Sequence, residues 1–124
     1  MAASTTVVLA APSGQTRAVM RAALDPRAVR VAGEACTRWD AGECARATAP
    51  DVVVADADLL SMRDFFLTGW GPVSRETRIV AVGPDDDDLA RRLALGGVAA
   101  YVRRDRVGAE LAPAVAGARS PVTR

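Results

Sequence analysis

Apolar residues in this chain fall into short, nearly unbroken runs, separated by longer stretches where they recur every three or four positions. The runs are Thr6–Ala10 (TVVLA), Asp51–Ala55 (DVVVA), Ile79–Val82 (IVAV) and Ala99–Val102 (AAYV). Runs of this length, rich in Val or Ile and not alternating, predict strands of a parallel sheet covered on both faces. Val29-Arg30-Val31-Ala32-Gly33 alternates instead, which suits an edge strand. The stretches between read as helices. Residues 14–24 set Ala18, Val19, Ala22 and Ala23 on one face and stop at Asp25-Pro26. Residues 38–48 line up Ala41, Cys44, Ala45 and Thr48, with Pro50 beyond them. Residues 86–95 pair Leu89 with Leu93 and meet Gly96-Gly97. Residues 106–117 align Val107, Leu111 and Val115. A shorter helix from Ser61 to about Leu67 would turn Phe65 and Phe66 inward, and Trp39 and Trp70 are expected in the core or at its rim. Strict alternation of strand and helix predicts an α/β fold, a (βα)5 parallel sheet with helices on both faces.

Composition narrows the chemistry. The 124 residues suit one domain large enough to fold without a disulfide or a metal. All 16 basic residues are arginine, against 15 acids, and there is no histidine. The chain therefore lacks the commonest general base and metal ligand, Schiff-base chemistry and the phosphate-loop lysine. A net charge of +1 gives no overall attraction to nucleic acid or to an acidic membrane. Cys36 and Cys44 are too few for a structural zinc site and are expected as buried thiols. Neither a signal peptide nor a membrane span is legible, so a cytoplasmic location is expected. The acids Asp85–Asp88 suit a helix N-terminus.

In an open parallel sheet, ligands bind beyond the carboxyl ends of the strands. There the first run delivers Ala11 and Pro12, the third strand Asp56 with Asp58 close by, the fourth Gly83 and Pro84, and the fifth Arg103 and Arg104. A carboxylate facing a guanidinium is the one reactive constellation this edge offers.

These segments, in this order, resemble the receiver domain of response regulators. Pro50-Asp51-Val52-Val53-Val54-Ala55-Asp56 is similar to the strand whose last Asp accepts a phosphoryl group. Leu9-Ala10 with Arg17, Arg21 and Leu24, the strand Val31–Ala35, the strand Thr77–Val82 and the segment Gly97–Asp105 match the rest, so the resemblance covers residues 5–124. The strand Val31–Ala35 and the tail Ser120–Arg124 resemble the subfamily that carries a C-terminal LuxR-type helix-turn-helix. The resemblance implies a flavodoxin-like strand order 2-1-3-4-5. It also implies a homodimer and a DNA-binding domain in the full-length protein, with residues 1–117 as the receiver-like domain and 118–124 as the start of a linker.

The site departs from the family pattern. The two acids that hold Mg²⁺ are replaced by Ala11 and Pro12, the hydroxyl after the fourth strand by Gly83, and the phosphate-pairing lysine by Arg104. Asp56 and the aromatic switch position, Tyr101, remain. Phosphoryl transfer depends on metal and donor stabilisation of the equatorial oxygens, and Mg²⁺ requires hard oxygen ligands. The expectation is a degenerate, phosphorylation-independent regulatory module, not an enzyme, with no cofactor and no metal. Asp56 would pair with Arg104, and a basic stripe of Arg91, Arg92 and Arg103, beside Arg104 and Arg106, would meet a partner. The emptied, apolar mouth of Ala11, Pro12, Ala57, Gly83 and Pro84 would suit a small-molecule ligand. The domain shows no basic recognition helix, so no direct contact with nucleic acid is expected. Two rivals remain open: a competent phosphoacceptor using Asp56, and a stand-alone interaction module.

Overall fold

The structure is a computed structural model and describes residues 4–60 and 77–119. Five parallel strands, β1 (Thr5–Ala10), β2 (Val29–Ala35), β3 (Val52–Asp56), β4 (Arg78–Gly83) and β5 (Ala100–Arg103), form one sheet in the order β2-β1-β3-β4-β5. The helices among the described residues are α1 (Gly14–Ala22), α2 (Arg38–Thr48), α3 (Asp87–Leu95) and α4 (Val107–Arg119). The predicted class and strand order are those observed. The helix predicted from Ser61, with Phe65, Phe66 and Trp70, lies outside the described residues.

The unbroken apolar runs have a direct cause. One face of the sheet turns Val7, Leu9, Val54, Val80 and Val82 toward Met20 and Leu24 at α1 and Leu111 and Val115 of α4. The other turns Val8, Ala10, Val53, Ala55 and Ala81 toward Ala41 and Ala45 of α2 and Leu93 of α3. With cover on both sides, successive strand residues are all apolar. β2 lies at the edge, as its alternation predicted, with Arg30 and Glu34 exposed. Its pairing with β1 jumps from Val7↔Val31 to Val8↔Gly33, so Ala32 is an unpaired bulge.

The helix starts follow local chemistry. Ser13 caps α1, Thr37 caps α2 by accepting the Asp40 N–H at 3.0 Å, and Asp86 caps α3 by accepting the Leu89 N–H at 3.0 Å. Asp87 and Asp88 occupy the first turn of α3, the place expected for the acidic run. α2 ends at Ala49, in the left-handed region at φ 47°, with Pro50 behind it. α4 runs to Arg119, past the boundary expected at residue 117, and carries Pro113 in its interior.

Three expectations are corrected. α1 does not bury Ala18, Val19 and Ala22. It buries Met20, with Ala23 and Leu24 packed behind, and leaves Val19 50% exposed. Burying the long Met20 and Leu24 side chains removes more apolar area from water than a face of small residues would. Cys36 and Cys44 are free thiols but not buried ones. Cys36 is exposed just past β2, and Cys44 is half-buried, with its Sγ against Gly33. Trp39, in the first turn of α2, belongs to neither core nor rim and is 73% exposed.

Candidate functional site at the carboxyl edge of the sheet

β3 ends on Asp56, which is 3% exposed. Its Oδ1 accepts the Asp58 N–H at 2.8 Å, which starts a short 3-10 turn over Ala57–Leu59. The same oxygen accepts from Arg104 Nη2 at 2.8 Å, and Oδ2 faces Arg104 Nε at 3.4 Å. Arg104 reaches this point because β5 ends one residue earlier and the chain turns into a 3-10 segment, Arg104–Arg106. Its Nη2 also lies 3.4 Å from Oδ1 of the exposed Asp58. The hydrogen bond to Asp56 raises the Arg104 pKa above its ordinary value, against an opposing desolvation effect. Arg104 therefore stays a cation, and the predicted pair with Asp56 is present. The Asp56 carboxylate is buried while the Arg104 guanidinium stays partly open to solvent, and the two hydrogen bonds between them set the geometry of the site.

β1 brings Ala11 and Pro12 to the same edge. Ala11 is fully buried, and Pro12 is exposed. The Ala11 carbonyl accepts from Arg17 Nη1 at 2.6 Å, and its N–H donates to the Ala35 carbonyl at 3.0 Å. The Arg17 contact was not legible beforehand. It sets a second guanidinium at the strand end where the resembled family has its acidic pair. These residues do not fit Mg²⁺. Ala11 and Pro12 carry no carboxylate, both oxygens of Asp56 face Arg104, and among the described residues no cluster of three potential metal-ligating side chains occurs.

Arg17 and Arg21 also hold Glu34, at 3.0 and 2.7 Å, which fastens α1 to the edge strand β2. The hydrogen bond from Arg21, helped by Arg17, pulls the Glu34 pKa below the usual value despite some desolvation.

β4 ends on Gly83, paired in register with Arg103 of β5. A β-carbon at Gly83 would collide with Tyr101 Oη and sit 2.8 Å from Ala57 Cβ. The phenol of Tyr101 therefore occupies the space that a serine or threonine would claim. Its hydroxyl donates to the Pro84 carbonyl at 2.5 Å, and partial burial raises its pKa. Gly83 thus has a packing role besides its missing hydroxyl. The mouth expected from Ala11, Pro12, Ala57, Gly83 and Pro84 is covered at Gly83 by this ring.

The arginines of the predicted stripe are interleaved with acids. Arg91 and Arg92 both bind Asp88, Arg103 binds Asp85 and Asp87, and Arg106 binds Glu110. The stripe seen in sequence is a charge-paired surface over α3, β5 and the start of α4. Beside Tyr101 and Arg103 it holds a shallow cavity of about 330 Å³.

No protein-family model and no curated protein sequence matches the chain. Solved structures match its fold. It is similar to the signal receiver domain of the Mycobacterium tuberculosis response regulator designated NarL, with a TM-score of 0.82 and 22% identity over 95% of this chain and 98% of that one. The response regulator domain of Thermotoga maritima CheB aligns with a TM-score of 0.81 and 18% identity over 98% and 100%. A LuxR-family two-component response regulator from Aurantimonas sp. SI85-9A1 aligns with a TM-score of 0.81 and 20% identity over 94% and 86%. The chain therefore has the fold of response-regulator receiver domains.

Proposed function

We propose that this domain is a receiver-like regulatory module of a bacterial transcription regulator that works without phosphoryl transfer. It acts through protein contacts, as a homodimer or against a C-terminal DNA-binding domain, and through a small-molecule input. The observation that carries the reading is the pairing of Asp56 with Arg104 at 2.8 Å, together with the absence of any carboxylate at Ala11 and Pro12. A phosphoryl group on Asp56 would have to displace the guanidinium of Arg104 from a buried carboxylate, with no metal cage to receive its charge. Support for a transcriptional context comes from structural neighbours described as LuxR-family regulators, one of them named as DNA-binding. The contact surface is assigned to Tyr101, Arg91, Arg92 and Arg103, the linker to residues 118–124 and the location to the cytoplasm. Among the described residues, no helix is long and apolar enough to cross a membrane.

Treatment with acetyl phosphate, or with beryllofluoride and Mg²⁺, is expected to leave both the mass and the amide NMR spectrum unchanged. A magnesium-dependent change that Asp56→Asn abolishes would establish the competent phosphoacceptor instead.

A further inference from the structure

Between α1 and the start of α4 lies an open cavity of about 250 Å³. Its apolar wall is Val19 and Met20 of α1, Val82 of β4 and Val107 of α4, and Arg104 forms a charged end. Gln15 and Thr16 add an amide and a hydroxyl from the first turn of α1. Met20, Val82 and Val107 are at most 3% exposed, whereas Val19 stands half open to solvent. The face of α1 that places Met20 in the core also leaves this valine on the cavity.

Arg104 belongs to both the cavity and the Asp56 pair. Its Nε and Nη2 are directed to Asp56, with Asp58 near Nη2, and its Nη1 has no hydrogen-bond partner among the described residues. A guanidinium offers five N–H donors, so two remain for an incoming acceptor. The nearest competing carboxylates are Asp56, whose oxygens are already engaged, and Asp58, which is exposed and 3.4 Å from Nη2.

We propose that this cavity binds a small monocarboxylate with an aromatic or branched apolar body, its carboxylate on Arg104 and its body against Val19, Met20, Val82 and Val107. Size fits this class. An apolar cavity of about 150 Å³ accommodates benzene, so the present volume admits one ring and a short acid arm. Charge fits it too. A single carboxylate uses the free Nη1 donors, whereas a second negative charge would approach Asp56 and Asp58. Because Arg104 is shared, an occupant is felt at the end of β3. The proposal rests on the small-molecule input of the preceding reading and gives it a site and a ligand class.

The test is an amide NMR titration of the whole chain with phenylacetate and 3-methylbutanoate, each against its neutral alcohol isostere, 2-phenylethanol and 3-methylbutanol. The acids are expected to shift amides around Gln15–Met20, Val82, Arg104 and Val107. The alcohols should bind at least about tenfold more weakly, since they lose a charge-assisted hydrogen bond. Val19→Trp, at a half-exposed helix position, should fill the cavity and abolish the shifts while leaving the Asp56–Arg104 pair and a folded spectrum. The proposal is overturned if neither acid binds at millimolar concentration, if acid and alcohol bind equally, or if Val19→Trp binds as the parent does. Acetyl phosphate with Mg²⁺ on the same sample separates the two readings. A change at Asp56 there overturns phosphorylation independence and leaves the carboxylate result standing.

Discussion

Asp56 and Glu34 are both gripped by arginine, one in the interior at the end of β3 and one at the surface between α1 and β2. Asp56 has lost nearly all its water and relies on one guanidinium and one backbone N–H. Glu34 keeps a third of its side-chain exposure and has two guanidiniums. The interior pair is costly to assemble and costlier to leave half-made, because a lone buried charge has no solvent to fall back on. The surface clasp is cheap to make and to lose, since water and salt stand in for either partner. The number of arginines around a carboxylate therefore says little about its importance. Its access to water says more, and by that measure the fold depends more on the Asp56 pair than on the Glu34 clasp.

The largest effect is expected from Arg104→Ala. It should destabilise the fold by about 3 kcal/mol, read from the urea midpoint, by leaving Asp56 charged and buried. Adding Asp56→Asn to the same chain should recover most of that loss. No recovery would mean that Arg104 matters for packing and not for the pair. A medium effect is expected from Gly83→Thr, which should cost about 2 kcal/mol by overpacking against the Tyr101 ring and Ala57. Its signature is a changed Tyr101 environment by NMR. An unmoved ring at full stability would show that the pocket is loosely filled. Gly33→Ala is the matching control beside the clasp. There the obstacle is the Sγ tip of Cys44, which can rotate, so a smaller loss is expected.

The smallest effect belongs to Glu34→Gln, below about 1 kcal/mol at neutral pH. Its dependence on pH has a fixed sign. The folded Glu34 pKa lies below that of a free glutamate side chain, so the clasp contributes fully above the free value. The contribution is lost as pH falls through the lowered folded pKa. Stability curves of parent and variant should converge in acid and separate toward neutrality. Divergence in acid would reverse the assignment.

The sheet was legible because β1, β3 and β4 are covered on both faces, which forces runs such as Val52-Val53-Val54 whose shortness and β-branched residues mark them as strands. The Asp56–Arg104 pair was legible because Asp56 ends β3 and Arg104 follows directly on β5, and strand ends in a parallel sheet share one edge. What escaped depended on rotation and register. A helix as poor in large apolar residues as α1 does not announce which face it buries, and Met20 decided it against the alanines. Arg17 reaching the Ala11 carbonyl spans a loop and a helical turn, with no periodic signal. Tyr101 lying over Gly83 requires the pairing of β4 with β5 in one particular register. Cys36 looked like a core thiol by residue type, but β2 ends one residue too early to bury it.

The contact of Gly83 with Tyr101 also bears on how such a domain changes over generations. Each residue is acceptable because of the other: the glycine makes room for the ring, and the ring excludes any replacement for the glycine. A hydroxyl-bearing residue at position 83 therefore displaces the ring at a cost in stability, and giving up the tyrosine alone opens a void over a bare backbone. Arrival at the metal-and-hydroxyl arrangement of the resembled family would require substitution at positions 11, 12, 83 and 104, with the Tyr101 ring kept but turned away from position 83. The effect of a change at position 83 thus depends on where the Tyr101 ring sits when it occurs.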